Sequence, residues 1–178
     1  MGRGSSKAGG GAGGGGASAI SQFEKSIYSQ DQESAMIVTA DGQTIIFNGS
    51  DENHVFGTDA DIAKMNGGTA THNHPNNTIF SSTDVANGIS KGNLKEMRIV
   101  TKSGEVHTIK NNGASLDDRR AFSANYYNQT MKARNNANKR IMRGETVDVN
   151  AYIKNHMENW MNAHASEFNM VYAKGKVK

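Results

Sequence analysis

Between residues 34 and 110, short apolar runs alternate with polar turns. Apolar runs at 34–40 and 43–48 flank Asp41-Gly42, a pair typical of a tight hairpin turn. Two similar runs, at 97–102 and 105–110, flank Ser103-Gly104 and predict a second hairpin. Residues 69–74 read as a single strand between the two hairpins. The pattern therefore predicts five short strands in this part of the chain.

Segments with apolar residues at helical spacing precede or separate these strands. Residues 19–29 place Ile20, Phe23 and Ile27 on one helical face, and residues 58–65 and 83–91 predict two further short helices. Ser81 or Ser82 can cap the last of these, because a hydroxyl side chain accepts a hydrogen bond from the first helical turn. The order of elements predicts an α/β fold, in which helices flank a mixed sheet in a sandwich.

The pattern after residue 113 is helical throughout. Residues 121–143 are polar with a weak apolar stripe, whereas residues 149–172 keep a strong stripe at i, i+3 and i+4 spacing. We therefore predict a sheet domain at 19–113 and a C-terminal helical extension at 114–178. The stripe at 149–172 packs either on the sheet domain or on a helical protein partner. The lysine-rich end, after residue 172, is expected to fray.

Composition limits the remaining possibilities. Residues 1–18 are rich in glycine and are expected to form a flexible tail. The chain has no cysteine, so a metal site could use only histidine and carboxylate ligands. No apolar run reaches the length of about 18 residues that a membrane span needs, so we expect no membrane partner and a cytoplasmic or virion-associated protein. Residues 115–178 hold 11 Lys and Arg against 6 Asp and Glu, which leaves nucleic acid open as a partner.

The run of residues 72–84 has the layout of a metal site. His72 and His74 project from the same face of a strand, because side chains alternate along it. Pro75 ends the strand, and Asp84 falls in the first turn of the following helix. Two imidazoles and one carboxylate would then meet at one point. Three protein ligands with a fourth position open to water are typical of a catalytic zinc site.

Glu33 is the best candidate for a general base beside that site. It stands at the start of the first predicted strand, so a neighbouring position for that strand would bring its carboxylate to the metal. Glu24 and Glu52 are weaker candidates, on a helix flank and in a loop. His54 and His107 are expected to be structural or exposed rather than ligands.

These residues resemble the signature of the JAMM (MPN-plus) zinc metalloproteases, especially the bacterial and phage branch with RadC-like and JAB-like proteins. In that family a Glu precedes His-x-His, and Ser-x-x-Asp follows after a short loop, as Glu33, His72-x-His74 and Ser81-x-x-Asp84 do here. The resemblance covers residues 22–112. It implies a deaminase-like sandwich, zinc on the two histidines and Asp84, Glu33 as general acid and base, and Ser81 as the group that orients or stabilises the oxyanion.

The loop between the ligands departs from the family pattern. Residues 75–80 separate His74 from Ser81, one residue fewer than in the commonest form. Ser82 would restore that spacing, but Val85 stands where its Asp would be required. Ser81 is therefore the predicted site residue, and the shorter loop is expected to affect substrate fit.

Three functions are compatible with the sequence. The first is a zinc-dependent hydrolase that cleaves a peptide or isopeptide bond in a protein or peptide substrate. The second is a non-catalytic metal-binding scaffold of a phage or mobile element, with the helices as a docking arm. The third is a RadC-like protein that acts near DNA.

Overall fold

A six-stranded mixed sheet forms the centre of the molecule. The computed structural model describes residues 15–48 and 58–178. The strand order is β2-β1-β3-β4-β5-β6. Only β3 and β4 run parallel, and the other neighbouring pairs are antiparallel. The predicted α/β fold, a mixed sheet with flanking helices and a helical C-terminal region, is confirmed.

The elements follow the chain in a simple order. The strands are β1 Ser34–Val38, β2 Thr44–Asn48, β3 Thr69–His74, β4 Glu96–Thr101, β5 Glu105–Asn111 and β6 Met170–Lys176. The helices are α1 Gly15–Ile27, α2 Asp59–Lys64, α3 Ser82–Val85, α4 Leu116–Met142 and α5 Val149–His164. A π-helix, Ala86–Lys91, continues α3, and a 3-10 helix, Ala165–Phe168, follows α5. Both predicted hairpins and the single strand between them are confirmed.

The two faces of the sheet are covered by different helices. On one face, sheet residues such as Ile99 and Ile109 share a large core with Phe122 of α4 and Trp160 of α5. On the other face, the neighbouring Val100 and Val106 pack on α1. This separation follows from the alternation of side chains along each strand. Within the described ranges, no helix has the length and apolarity to cross a membrane.

The first helix begins four residues earlier than predicted. It includes residues 15–18, which the sequence analysis assigns to the glycine-rich tail. Glycine disfavours helix, so packing must provide the compensation. A Cβ on Gly16 would lie 3.6 Å from Val38 of β1, which shows how closely this turn approaches the sheet.

The C-terminal prediction is correct for the helices and wrong for the end of the chain. The helix predicted over 149–172 ends at His164, and residues 170–176 form β6, which pairs with β5 along its whole length. The expectation that this lysine-rich end frays is therefore wrong. Of the two alternatives for the α5 stripe, packing on the sheet domain is the one observed, because Ile153, Met157 and Met161 are buried in the core of this chain.

Candidate metal centre

The structure brings the three predicted ligands together. The Nε2 atoms of His72 and His74 lie 2.9 Å apart. Oδ2 of Asp84 lies 3.6 Å from Nε2 of His72 and 3.5 Å from Nε2 of His74. Three atoms that can ligate a metal therefore form a triangle with sides of 2.9 to 3.6 Å, and they meet at one point of the fold as the sequence predicts.

The size of this triangle fits a tetrahedral ion. The circle through the three ligand atoms has a radius of about 1.9 Å. Three ligand atoms at about 2.1 Å from a tetrahedral ion lie on a circle with a radius of about 2.0 Å. The side chains of His72 and His74 are 2% and 6% exposed, whereas that of Asp84 is 19% exposed. Asp84 is therefore the most exposed of the three residues.

Local sequence explains how Asp84 reaches the histidines. Ser81 is the N-cap of α3: its Oγ accepts a hydrogen bond from the Asp84 amide at 3.0 Å. In return, the Ser81 amide donates to Oδ2 of Asp84 at 2.7 Å. This reciprocal capping box fixes both residues at the helix start. Ser81 is exposed, and in this structure its role is to hold the carboxylate that faces the imidazoles.

A residue that the sequence analysis missed orients one imidazole. Nδ1 of His74 lies 3.1 Å from the carbonyl oxygen of Thr78 and 3.0 Å from its Oγ1. A proton on Nδ1 can be donated to the Thr78 carbonyl, which leaves Nε2 free to ligate a metal. Thr78 lies in the short loop, and nothing in its sequence context signals this contact.

Glu33 lies at the same end of the sheet as the triangle. It immediately precedes β1, which pairs with β3 so that Ala35 is opposite His72. Continuing this register places Glu33 opposite His74, and alternation puts its side chain on the face that carries both histidines. Burial lowers the pKa of His74 and the hydrogen bond and charge of Asp84 raise it, and the negative charge of Glu33 adds a smaller upward contribution. The condition on which the choice of Glu33 depends, that the first strand lies beside the ligand strand, is therefore met.

The charges of the triangle stabilise each other. Burial alone would raise the pKa of Asp84, but the charges and hydrogen bonds of His72 and His74 outweigh it and hold the pKa well below its usual range. Burial alone would lower the pKa of His74, but the hydrogen bond and charge of Asp84 raise it. Asp84 is therefore ionised at neutral pH, the form in which a carboxylate ligates a metal.

Asn73 holds the segment that carries Glu33. This side chain is fully buried, and its Oδ1 accepts a hydrogen bond of 2.7 Å from the Ser34 amide. Its Nδ2 donates to the carbonyl oxygen of Gln32 at 2.9 Å. The two bonds reach the residues on either side of Glu33. Asn73 thus links the ligand strand to the backbone of the predicted base, a role that the sequence alone does not require.

Helix α4 supports the loop that leads to Asp84. The hydroxyl of Tyr126, a fully buried residue, donates to the carbonyl oxygen of Phe80 at 2.7 Å. Phe80 is itself buried in the core and directly precedes Ser81. The C-terminal region therefore contributes to the position of the candidate centre, which the separation into two domains does not anticipate.

A second group of potential ligands contains Glu105, His107 and Glu158. Nζ of Lys174 lies 2.8 Å from Oε1 of Glu105 and 3.2 Å from Oε1 of Glu158, so an ammonium group already bridges the two carboxylates. Lys154 also binds Glu105, at 2.6 Å. These contacts join α5 and β6 to β5. His107 is fully buried, which agrees with a structural position and excludes an exposed one.

The other acidic candidates do not join the centre. Glu24 is buried, and it binds Arg98 through both carboxylate oxygens and Thr71 through one. Thr71 alternates with His72, so this ion pair lies on the opposite face of the sheet and fastens α1 there. Glu52 and His54 lie outside the described residues.

Comparison with known proteins gives no identification. No protein-family model, curated protein or solved structure matches this chain.

Proposed function

We propose that this protein is a zinc-dependent hydrolase that cleaves a peptide or isopeptide bond. The observation that carries the proposal is the triangle of His72 Nε2, His74 Nε2 and Asp84 Oδ2, with a size that suits a tetrahedral ion. Zinc commonly binds two imidazoles and one carboxylate in catalytic sites. The resemblance of the same residues to the JAMM signature supports the same assignment.

The roles of the protein groups follow from their positions. A zinc ion bound there would lower the pKa of a water molecule and polarise the carbonyl of the scissile bond. Glu33 accepts the proton of the attacking water and returns it to the leaving amine nitrogen as the carbon–nitrogen bond breaks. The products are a carboxylate and an amine. The hydroxyl hydrogen of Ser81 is not needed for the cap, so it can be donated to the carbonyl oxygen as negative charge develops.

The experiment compares wild type with Glu33→Gln, a variant of the same shape that cannot accept the proton. Both proteins are loaded with zinc and incubated with a proteome-derived peptide mixture and with isopeptide-linked peptides, and new termini are identified by mass spectrometry. We expect cleavage by wild type and a loss of at least about 100-fold in Glu33→Gln, because general acid–base catalysis contributes on that order. The zinc content of the two proteins should be equal.

Two results would argue against the proposal. Equal cleavage by both proteins would remove Glu33 from the reaction. Zinc binding with no cleavage of either peptide class by wild type would favour the metal-binding scaffold, the alternative that keeps the centre without turnover.

A further inference from the structure

The second half of α4, residues 131–143, is an exposed stretch of helix in which every charged residue is basic. We call it the α4 basic segment. No Asp or Glu lies between Arg119 and Gly144 in the sequence. Within the segment, the basic residues are Lys132, Arg134, Lys139, Arg140 and Arg143.

Almost the whole segment faces solvent. Its buried residues are Ala133 and Ala137, whose small side chains let α5 approach the helix on one side. Met131 and Met142 are 37% and 86% exposed. Only a narrow strip of this helix, around Ala133 and Ala137, is therefore covered, and the rest of its circumference is available for contact.

Three of the basic side chains have no ion pair with any described residue. Arg140 and Arg143 share Glu145, whereas no such partner lies near Lys132, Arg134 or Lys139. Basic residues in the last turn of a helix interact favourably with its dipole. That effect fades within one turn, so it accounts for Lys139 but not for Lys132 and Arg134.

The angular positions of these residues suggest the shape of the partner. At 100° per residue, Lys132 and Lys139 fall on one edge of the solvent face and Arg134 on the other, with Asn135 between them. A helix with its side chains is about 10–12 Å across, and the major groove of B-DNA is about 12 Å wide and admits a helix. Basic side chains on both edges would meet the two phosphate backbones, and an amide in the middle would face the base edges.

We propose that the α4 basic segment binds double-helical DNA by lying in its major groove. The composition favours this partner over the other anionic ones. Protein interfaces are depleted of lysine at their centres, and a helix that lies on a membrane needs a broad apolar face, which the asparagines here interrupt. The inference rests on charge and helix geometry alone, so it is independent of the metal centre.

The test is a titration of fluorescently labelled 24-base-pair DNA of mixed sequence, followed by anisotropy from 50 to 200 mM NaCl. Wild type is compared with the triple variant Lys132→Gln, Arg134→Gln and Lys139→Gln. The control loses the same charge elsewhere: Lys25→Gln, Lys91→Gln and Lys95→Gln, three exposed lysines without ion pairs among the described residues.

Loss of three phosphate contacts should flatten the slope of log K against log salt by about 2.7. Over this fourfold range of salt, wild type should then lose about 40-fold more affinity than the α4 triple variant. The control should behave as wild type. All three proteins should show the same circular dichroism, since the six substituted side chains are exposed.

Three outcomes would overturn the proposal. One is no binding of wild type to the duplex at 50 mM NaCl. Another is an equal loss in both triple variants, which would mean attraction by net charge rather than by α4. The last is tighter binding of the matching single strand than of the duplex, because a single strand has no groove to receive the helix.

Discussion

Replacing Asn73 with alanine tests whether the ligand strand positions the Glu33 segment. The substitution removes the acceptor of the Ser34 amide and the donor to the Gln32 carbonyl. Ser34 is buried, so its unpaired amide should cost about 2 kcal/mol, whereas Gln32 is exposed, so its carbonyl can bind water and the loss there is about 1 kcal/mol. We expect the free energy of unfolding to fall by about 3 kcal/mol.

Urea denaturation measures this loss directly, and a matched control is available in Asn66→Ala. Asn66 accepts a hydrogen bond of 2.7 Å from Asn93 at the surface, so its removal should cost less than about 0.5 kcal/mol. Hydrogen exchange should show faster exchange of the Ser34 amide in Asn73→Ala. Zinc content should stay at the wild-type level, because His72 and His74 project from the other face of β3. Cleavage should decrease, because Glu33 loses its fixed position.

Two results would contradict this role of Asn73. A loss of stability no larger than in Asn66→Ala would mean that the two hydrogen bonds make no net contribution to the free energy of unfolding. Unchanged protection of the Ser34 amide would mean that the segment is held by other contacts.

Three further changes test separate parts of the structure. Thr78→Val should weaken zinc binding only about tenfold, because the carbonyl of residue 78 still accepts the His74 Nδ1 proton. Competition with a zinc-chelating dye measures the affinity, and a loss beyond about 100-fold would make the Thr78 hydroxyl the main acceptor. Tyr126→Phe should cost about 1–2 kcal/mol in urea denaturation, since the buried Phe80 carbonyl loses its donor, and an unchanged midpoint would contradict this. Burial lowers the pKa of His107 to about 4, so the folded protein binds fewer protons than the unfolded one between pH 6.5 and 4. Wild type should therefore lose up to about 3 kcal/mol as pH falls through this window, and His107→Gln should remove that part of the loss; parallel curves for the two proteins would argue against it.

The sequence predicted those structural features that depend on neighbouring residues. Asp41-Gly42 marks the first hairpin, with Gly42 at a φ of 85°, and the i, i+2 spacing of His72 and His74 places both imidazoles on one face. The Ser81-x-x-Asp84 spacing likewise corresponds to the capping box that forms. Each of these features depends on residues within a few positions of one another.

The structural features that the sequence did not predict depend on contacts between residues that are far apart in the chain. Val171 and Tyr172 continue the apolar spacing of α5, but Asn169 adopts a left-handed conformation with a φ of 54°, and the chain then turns into β6. Pairing with β5, 59 to 71 residues earlier in the chain, stabilises this strand, and no local sequence pattern predicts such pairing. The contacts of Asn73 with the Glu33 segment and of Tyr126 with Phe80 are missed for the same reason.

The most direct test of the metal centre is the zinc content of wild type and Asp84→Asn, measured side by side by elemental analysis after supply of zinc and dialysis. Asparagine keeps an oxygen that can accept the Ser81 amide, so the α3 cap should survive while the charged ligand is lost. Asp61→Asn, in α2, is the control for the loss of a carboxylate. We expect about one zinc per chain in wild type and in the control, and far less in Asp84→Asn. Wild type without zinc, or equal zinc in Asp84→Asn, would contradict the three-ligand centre on which the proposed function depends.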